Sequence, residues 1–182
     1  MDDHEEAQLV RCAQADLAQF VRLYDRYVER IYAYVQRQTG DEPTTQDIVA
    51  TTFAQALQHL PRYRWRGVSF GAWLYQIARN EIRRHYNRGR WLLPLTEWLP
   101  SDHNVEQVVH KQHQTHVLRQ AMSRLPARDQ EVLQLHYDEE LSHAEIGTVL
   151  GCSSRNVAVR LHRALKRLRR QVESMEVMSD AS

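Results

Sequence analysis

Two helices joined by a tight turn are predicted between residues 142 and 170, where the sequence reads SHAEIGTVLGCSSRNVAVRLHRALKRLRR. The first helix opens with Ser142 and Glu145 at the spacing of a capping box, in which each side chain bonds to the backbone N–H of the other residue. Gly151 suits the left-handed conformation that ends a helix, and Ser153 or Ser154 can cap the helix that follows. The stretch therefore predicts a helix-turn-helix.

The second helix of this pair, from about Ser154, has an apolar face and a basic face. Its apolar residues recur at the spacing of a face packed on a core: Val157, Leu161, Ala164, Leu165 and Leu168. Between Arg155 and Arg170 there are seven Lys or Arg and no acidic residue. Such a helix suits the major groove of DNA, where its first turns reach base edges and flanking cations neutralise phosphates.

The composition of the 182-residue chain fits one or two small domains. There is no apolar run near the roughly 20 residues of a membrane helix and no signal-peptide pattern, so we expect a cytoplasmic protein without membrane insertion. Cys12 and Cys152 lie far apart without a C-x-x-C partner, which indicates neither a disulfide framework nor a zinc site. We expect no catalytic residue, cofactor or metal.

The net charge of +1 hides two basic zones. Residues 62–90 contain eight Arg and one Glu, and residues 155–170 contain seven basic residues. The remaining nine basic and 22 acidic residues give the rest of the chain a net charge of −13. Because clustered Arg and Lys neutralise phosphates, two zones indicate two places where nucleic acid is bound.

Hydrophobic periodicity predicts an all-α chain of two bundles. A long helix ending near Gly40 carries the apolar residues Leu17, Phe20, Val21, Tyr24, Val28, Ile31, Tyr32 and Val35. A second, capped by Thr44 or Thr45 and stopped by Pro61, has the inward residues Val49, Phe53, Ala56, Leu57 and Leu60. A third, capped by Ser69, has the inward residues Phe70, Leu74, Ile77 and Ala78. Beneath the helix-turn-helix, the core is expected to include Leu133, Leu135, Tyr137 and Leu141.

The basic zone at 62–90 is interleaved with aromatic residues, the composition of a surface on which unpaired bases stack while the backbone follows the charge. Trp73, Asn80, Arg84 and Asn87 share one stripe of the helix after Ser69, and such a face can accept a base swung out of the duplex. For Phe70 and Tyr75 a place in the core is the favoured alternative.

With both zones placed, the chain resembles the extracytoplasmic-function (ECF) group of bacterial sigma-70-type RNA polymerase initiation factors. Residues 15–88 resemble the family's region 2, with Asp47-Ile48-Val49 followed by FGAWLYQIARN at 70–80. Residues 116–171 resemble region 4, with Leu125-Pro126, LSHAEI at 141–146, Leu150-Gly151 and RLHRA at 160–164.

The resemblance implies four segments: region 2 at 1–88, a flexible linker at 89–115, region 4 at 116–171 and a disordered tail at 172–182. Region 2 would hold the polymerase core and melt the minus-10 element, and region 4 would read the duplex minus-35 element. The expected partners are therefore the clamp and flap of core polymerase, promoter DNA as duplex and melted strand, and an anti-sigma factor. The free form is expected to be a monomer.

The same resemblance gives candidate binding residues. Those for the minus-35 duplex are Arg155, Asn156, Ala158, Val159, Arg160, His162, Arg163 and Lys166. Those for the minus-10 strand are Arg64, Trp65, Arg66, Trp73, Asn80, Arg83, Arg84 and Asn87. Those for the polymerase are Asp47, Ala50, Thr51 and Ala54.

Two positions depart from the family pattern. Ala50-Thr51 stand where the family often has Gln-Glu, so the expected polymerase contact keeps one carboxylate, that of Asp47, beside small neutral groups. Ala158 and Val159 are less polar than usual in a recognition helix, and apolar side chains there suit thymine methyl groups.

Two other functions are less compatible with the sequence. A stand-alone helix-turn-helix regulator would need a dimer interface to read paired half-sites, yet the chain has no heptad seam, and the second basic zone would be unexplained. An enzyme could use His110, His113 and His116, but these lie off a single helical face and lack an H-E-x-x-H arrangement.

Overall fold

The computed structural model describes residues 3–65, 67–89 and 117–180, and every regular element within them is helical. The chain divides into two compact units. The helices of the first are α1 (Asp3–Ala15), α2 (Phe20–Thr39), α3 (Glu42–His59) and α4 (Phe70–Gly89), with 3-10 turns at Leu17–Gln19 and Leu60–Arg62. Those of the second are α5 (117–123), α6 (Ala127–Leu133), α7 (His143–Leu150) and α8 (Ser154–Asp180), although Thr148–Gly151 are grouped with the first unit. The predicted all-α fold is confirmed.

The core of the first unit lies between α2, α3 and α4, and α1 packs across α2 and α4. The predicted inward side of α4 is confirmed, because Phe70, Leu74, Ile77 and Ala78 are all buried. Tyr75, for which a place in the core was the favoured alternative to binding bases, is fully buried. It meets Tyr34 edge-on, with 5.1 Å between the ring centroids. Ser69 caps α4 as predicted, accepting a hydrogen bond from the N–H of Ala72 at 3.1 Å.

The long helix predicted to end near Gly40 is present as α2, but only some of its apolar residues are buried. Phe20, Ile31 and Val35 are buried, whereas Leu17, Val21 and Tyr24 are exposed by 52%, 54% and 40%. The residues that α2 buries are Phe20, Leu23, Tyr27, Ile31, Tyr34 and Val35. Periodicity identifies the apolar side of α2 but does not fix which residues at its margins are buried, because this depends on aromatic contacts with α4.

Two predictions for α3 were also wrong. Its cap is Asp41, whose carboxylate accepts a hydrogen bond from the N–H of Thr44 at 2.9 Å. The pKa of Asp41 is lowered by hydrogen bonding to the Thr44 side chain and, to a smaller extent, to the Thr44 N–H. Thr45 instead donates its hydroxyl to the Asp41 carbonyl from inside the first turn. Leu57, predicted to face inward, is 38% exposed, because the buried face of α3 runs through Ile48, Thr52 and Ala56.

The core of the second unit contains Leu133, Leu135 and Leu141 as predicted, but Tyr137 is 58% exposed. After α6 the chain widens into a π-helical turn, Gln134–Asp138, which adds one residue to the turn and changes the register of the face. The ring of Tyr137 is thereby turned outward, where it lies edge-on to His136 with 4.8 Å between the centroids.

The helix-turn-helix has the local geometry that its sequence predicts. The Ser142 N–H donates to the Glu145 carboxylate at 2.8 Å, and the Glu145 N–H donates back to the Ser142 hydroxyl at 3.3 Å. Gly151 has φ of +68°, the left-handed conformation. Ser153, rather than Ser154, caps α8 by accepting from the Asn156 N–H at 3.3 Å.

The second helix of the motif is longer and less deeply packed than predicted. It continues to Asp180 through the region expected to be a disordered tail, since no Gly or Pro stops it after Arg170 and the half-buried Val172 and Met175 extend its apolar side. Leu165, predicted to be core, is 40% exposed. The expected linker at 89–115 lies, apart from residue 89, outside the described residues, and the domain boundaries remain predictions.

Because Gly147 of α7 has no side chain, the turn that follows α7 can pass close to it. We predict that Gly147→Ala destabilises the second unit by about 1–3 kcal/mol. A β-carbon at this position would lie 2.6 Å from the Cys152 carbonyl oxygen, so the turn would have to move. The Cys152 N–H donates to the Gly147 carbonyl at 2.9 Å, and that bond would be disturbed as well. Urea unfolding measures the change in the free energy of unfolding, and hydrogen exchange in α7 and α8 locates it.

Gly151→Ala is the matched control, because a β-carbon there meets nothing within 4 Å and only the positive φ is penalised. We expect it to cost about 1 kcal/mol. A Gly147→Ala variant no less stable than Gly151→Ala would contradict the steric argument.

Candidate nucleic-acid interface

The outward face of α8 carries most of the residues predicted to read duplex DNA. Ala158 is half-buried, and the others are exposed: Arg155, Asn156, Val159, Arg160, His162, Arg163 and Lys166. On the opposite side Val157, Leu161 and Ala164 are buried by 95% or more. The helix is therefore held on one side and presents a basic, partly apolar surface on the other.

Arg167 is a basic residue of α8 that has an internal partner. The Arg167 guanidinium donates a short hydrogen bond to the carboxylate of Asp129, which lies on α6. The Asp129 side chain is only 11% exposed, while that of Arg167 is 53% exposed. This ion pair joins α6 to α8, which indicates that Arg167 stabilises the unit rather than binding phosphate.

In the first unit, the residues predicted to bind the opened strand divide by exposure. Asn80, Arg83, Arg84 and Asn87 are exposed on α4, as is Arg64 in the preceding loop. Trp65 and Trp73 are half-buried, and Arg66 lies outside the described residues. The polar residues thus form an accessible row, while the two tryptophans present only part of their rings.

Trp73 belongs to an aromatic cluster with Tyr63 and Phe70. Its ring centroid lies 4.8 Å from that of Tyr63 and 5.3 Å from that of Phe70, which is fully buried. Burial and the nearby Glu6 carboxylate raise the pKa of Tyr63 to about 12, so this phenol is neutral at physiological pH. The cluster is therefore an uncharged platform beside the exposed cations.

Hydrogen bonds also fix the outer part of α4. One carboxylate oxygen of Glu81 accepts from the Gln55 amide at 2.9 Å and from the Arg84 guanidinium at 3.4 Å, which orients Arg84 along the helix. Near the end of α4 the Tyr86 hydroxyl donates to the Gln38 carbonyl at 2.7 Å and so caps α2. Tyr86 consequently has a structural contact, although it is 44% exposed.

Two polar residues of α1 were missed by the sequence analysis. Glu6 is buried and accepts a short hydrogen bond from the Tyr27 hydroxyl and another, at 3.3 Å, from the Gly71 N–H. Gln14 donates from its amide to the carbonyls of Leu60 and Tyr63, at 3.0 and 2.8 Å. The available signal was their helical spacing with the buried Val10 and Ala13, which placed them on the packed side of α1.

The residues predicted to bind the polymerase lie on the outer side of α3. Asp47, Ala50 and Ala54 are exposed, and Thr51 is half-buried. Tyr24 of α2 packs edge-on against Phe53 of α3, with centroids 4.8 Å apart, so α2 and α3 are in direct contact here. The exposed apolar residues here are Val21 and Tyr24 of α2, Leu57 of α3, which was predicted to face inward, and Leu17 in the 3-10 turn before α2.

No metal or membrane feature is found within the described residues. There, no group of three or more His, Cys, Asp and Glu is arranged to hold a metal ion, and no helix is long and apolar enough to cross a membrane. The three histidines considered for an enzyme, His110, His113 and His116, lie outside the described residues.

Comparison with known proteins defines the class. Residues 23–92 match the Sigma-70 region 2 family and residues 115–168 match the Sigma-70, region 4 family. The ECF RNA polymerase sigma factor BldN of Streptomyces coelicolor is 33% identical over 175 residues, which cover 93% of this chain and 66% of that protein. The RNA polymerase sigma factor YlaC of Bacillus subtilis is 31% identical over 161 residues, covering 82% of this chain and 90% of that protein.

The chain belongs to the ECF group of the sigma-70 family. A solved relative agrees in fold: the sigma factor RpoE of Bartonella quintana, in complex with the anti-sigma factor NepR, has a TM-score of 0.66 and 19% identity. The match covers 85% of this chain and 96% of that one.

Proposed function

We propose that this ECF sigma factor binds core RNA polymerase, recognises a promoter and opens it, acting by binding rather than by catalysing a reaction of its own. The observation that carries the proposal is the row of Asn80, Arg83, Arg84 and Asn87, exposed on α4 next to the tryptophan of the aromatic cluster. A stand-alone helix-turn-helix regulator has no use for such a surface, whereas opened DNA offers it both phosphates and unstacked bases.

The second unit is proposed to read the duplex minus-35 element through the exposed face of α8. Arg155, Asn156 and Val159 lie in its first two turns, where a recognition helix contacts base edges. Arg160, Arg163 and Lys166 follow, and they suit phosphate contacts or a bidentate contact to guanine. We propose this unit at 116–171, with the flap of the polymerase as its protein contact.

The first unit is proposed, at 1–88, to hold the melted minus-10 strand. Asn80 has the donor and acceptor needed to bond a base edge, and Arg83 and Arg84 lie where they can follow the phosphates. Trp73 contacts Tyr63 but is only half-buried, so part of its ring remains available for stacking.

The outer side of α3 is proposed to bind the polymerase clamp. Its exposed Asp47, Ala50 and Ala54 present one charge beside small neutral side chains. Exposed apolar residues on α2 and α3 add apolar surface, which protein partners commonly cover. An anti-sigma factor that covered the same surface would block assembly. Since the polymerase is cytoplasmic, we propose the cytoplasm as the location.

The decisive experiment combines the purified chain with bacterial core polymerase and a genomic promoter library, and sequences the transcripts that depend on the chain. A shared pair of upstream and downstream elements is the expected result. If the chain does not bind core polymerase even at low salt, the sigma-factor assignment is overturned and the regulator alternative is left.

Two substitutions test the division between the units. Asn80→Ala is expected to slow promoter opening while leaving affinity for a closed minus-35 duplex unchanged, because its side chain is placed for an unpaired base. Arg163→Ala is expected to weaken that duplex affinity by about 1–3 kcal/mol if it makes a bidentate base contact. Opening is measured by permanganate reactivity of thymines, and duplex affinity by fluorescence anisotropy.

Arg169→Ala, which removes the same charge from a later turn of α8, is the control for Arg163→Ala. Equal losses of duplex affinity in the Asn80 and Arg163 variants would count against separate tasks.

A further inference from the structure

The loop between α3 and α4 is tied to α1 at both of its ends. At its start, the Gln14 amide donates to the Leu60 carbonyl at 3.0 Å and to the Tyr63 carbonyl at 2.8 Å. Just beyond its far end, in the first turn of α4, Glu6 accepts from the Gly71 N–H at 3.3 Å. These contacts span 46 to 65 positions in sequence, so α1 bridges the two ends of a segment remote from it.

At the start of this loop, the backbone conformation depends on hydrogen bonds from Gln14. Tyr63 touches its neighbours through its ring, and its buried hydroxyl has no hydrogen-bond partner within the described part of the chain. Within the turn, the Tyr63 N–H donates to the Leu60 carbonyl at 3.0 Å, and the Gln14 side chain joins both residues to α1. The next two residues, Arg64 and Trp65, are candidates for binding the opened strand.

We propose that Gln14 is a positioning residue for promoter opening, which holds the backbone at Leu60 and Tyr63 so that Arg64 and Trp65 meet the minus-10 strand in one geometry. Gln14 itself touches no DNA in this arrangement, because it is partly buried against the loop. The proposal rests on the proposed function of the first unit. Under this proposal, α1 contributes to recognition of the opened bases although it carries no basic cluster.

Gln14→Met tests the proposal, because methionine keeps the length of the side chain and removes the donor. The probe is a single-stranded oligonucleotide carrying the minus-10 element of a promoter selected in the library experiment, compared with the same strand in scrambled order. With the full chain bound to core polymerase, we expect Gln14→Met to reduce the ratio of the two affinities about tenfold, the loss expected when one stacked base is misplaced. Affinity for the minus-35 duplex should not change.

Gln8→Met is the matched control, since Gln8 is exposed on the same helix. If the wild-type holoenzyme does not distinguish the two strands, the proposed function of the first unit fails before Gln14 is tested. If the wild type distinguishes them and Gln14→Met does so equally well, the positioning proposal alone is overturned.

Hydrogen exchange separates positioning from general stability. Faster exchange confined to residues 60–69 is expected in Gln14→Met, because only the loop has lost its tie. Uniformly faster exchange throughout α1 to α4 would assign Gln14 to the stability of the whole unit and overturn the proposal.

Discussion

Arg167→Ala is expected to lower the free energy of unfolding of the second unit by about 2 kcal/mol, even though Arg167 lies in the basic run of α8. The change leaves the Asp129 carboxylate, 11% exposed, without its charged partner. Breaking a fully buried ion pair costs about 3–5 kcal/mol, and the half-exposed guanidinium reduces that value here. Urea unfolding, with hydrogen exchange reporting on α6 and α8, measures the loss.

The preceding residue of the helix, Lys166, is the control. Lys166 is exposed, and Lys166→Ala should leave stability within about 0.5 kcal/mol of the wild type while weakening DNA binding. Replacing Arg167 and Asp129 together by apolar residues should recover much of the lost stability, because no buried charge then remains. If Lys166→Ala and Arg167→Ala destabilised the unit equally, the ion pair would not be the cause.

Phe70→Ala is expected to cost the first unit about 3–5 kcal/mol. Phe70 is fully buried and contacts three other rings, those of Tyr27, Tyr63 and Trp73, with centroids 6.0, 5.5 and 5.3 Å away. Removing its ring leaves a cavity beneath the surface that presents Trp73. Urea unfolding followed by tryptophan fluorescence and circular dichroism gives the change in stability.

Tyr86→Ala, on the same helix, is the comparison for that result. Tyr86 is 44% exposed, and the removed hydroxyl loses one hydrogen bond to the Gln38 carbonyl, so we expect a loss of about 1 kcal/mol. A Phe70→Ala variant no less stable than Tyr86→Ala would show that the aromatic cluster does not support the unit.

Local signals in the sequence predicted much of the fold because they act over a few residues. The capping box at Ser142, the cap at Ser69 and the left-handed Gly151 all have the expected geometry. The limits of the buried face of α2 were not predictable in this way, since Val21 and Tyr24 at its margin are apolar and yet exposed. Which of them is buried depends on α4, through contacts such as Tyr34 with Tyr75.

The candidate site shows the same limit. Charge and spacing led to exposed residues such as Asn80 and Arg163, whose binding roles remain predictions. They could not separate Arg167, which pairs with Asp129, from the basic residues beside it. Gln14 and Gly147 act through atoms 46 and five positions away in the chain, so their importance emerges only once the backbone is folded.

The exposed Leu17 before α2 and the exposed Val21 and Tyr24 of α2 have a practical consequence for handling the protein. Apolar side chains that remain in water favour self-association as the concentration rises, even in a protein expected to be monomeric when dilute. Moderate salt would not prevent this aggregation, because the attraction is not electrostatic. Expression together with a partner that shields α2 should therefore give higher soluble yields than expression of the chain alone.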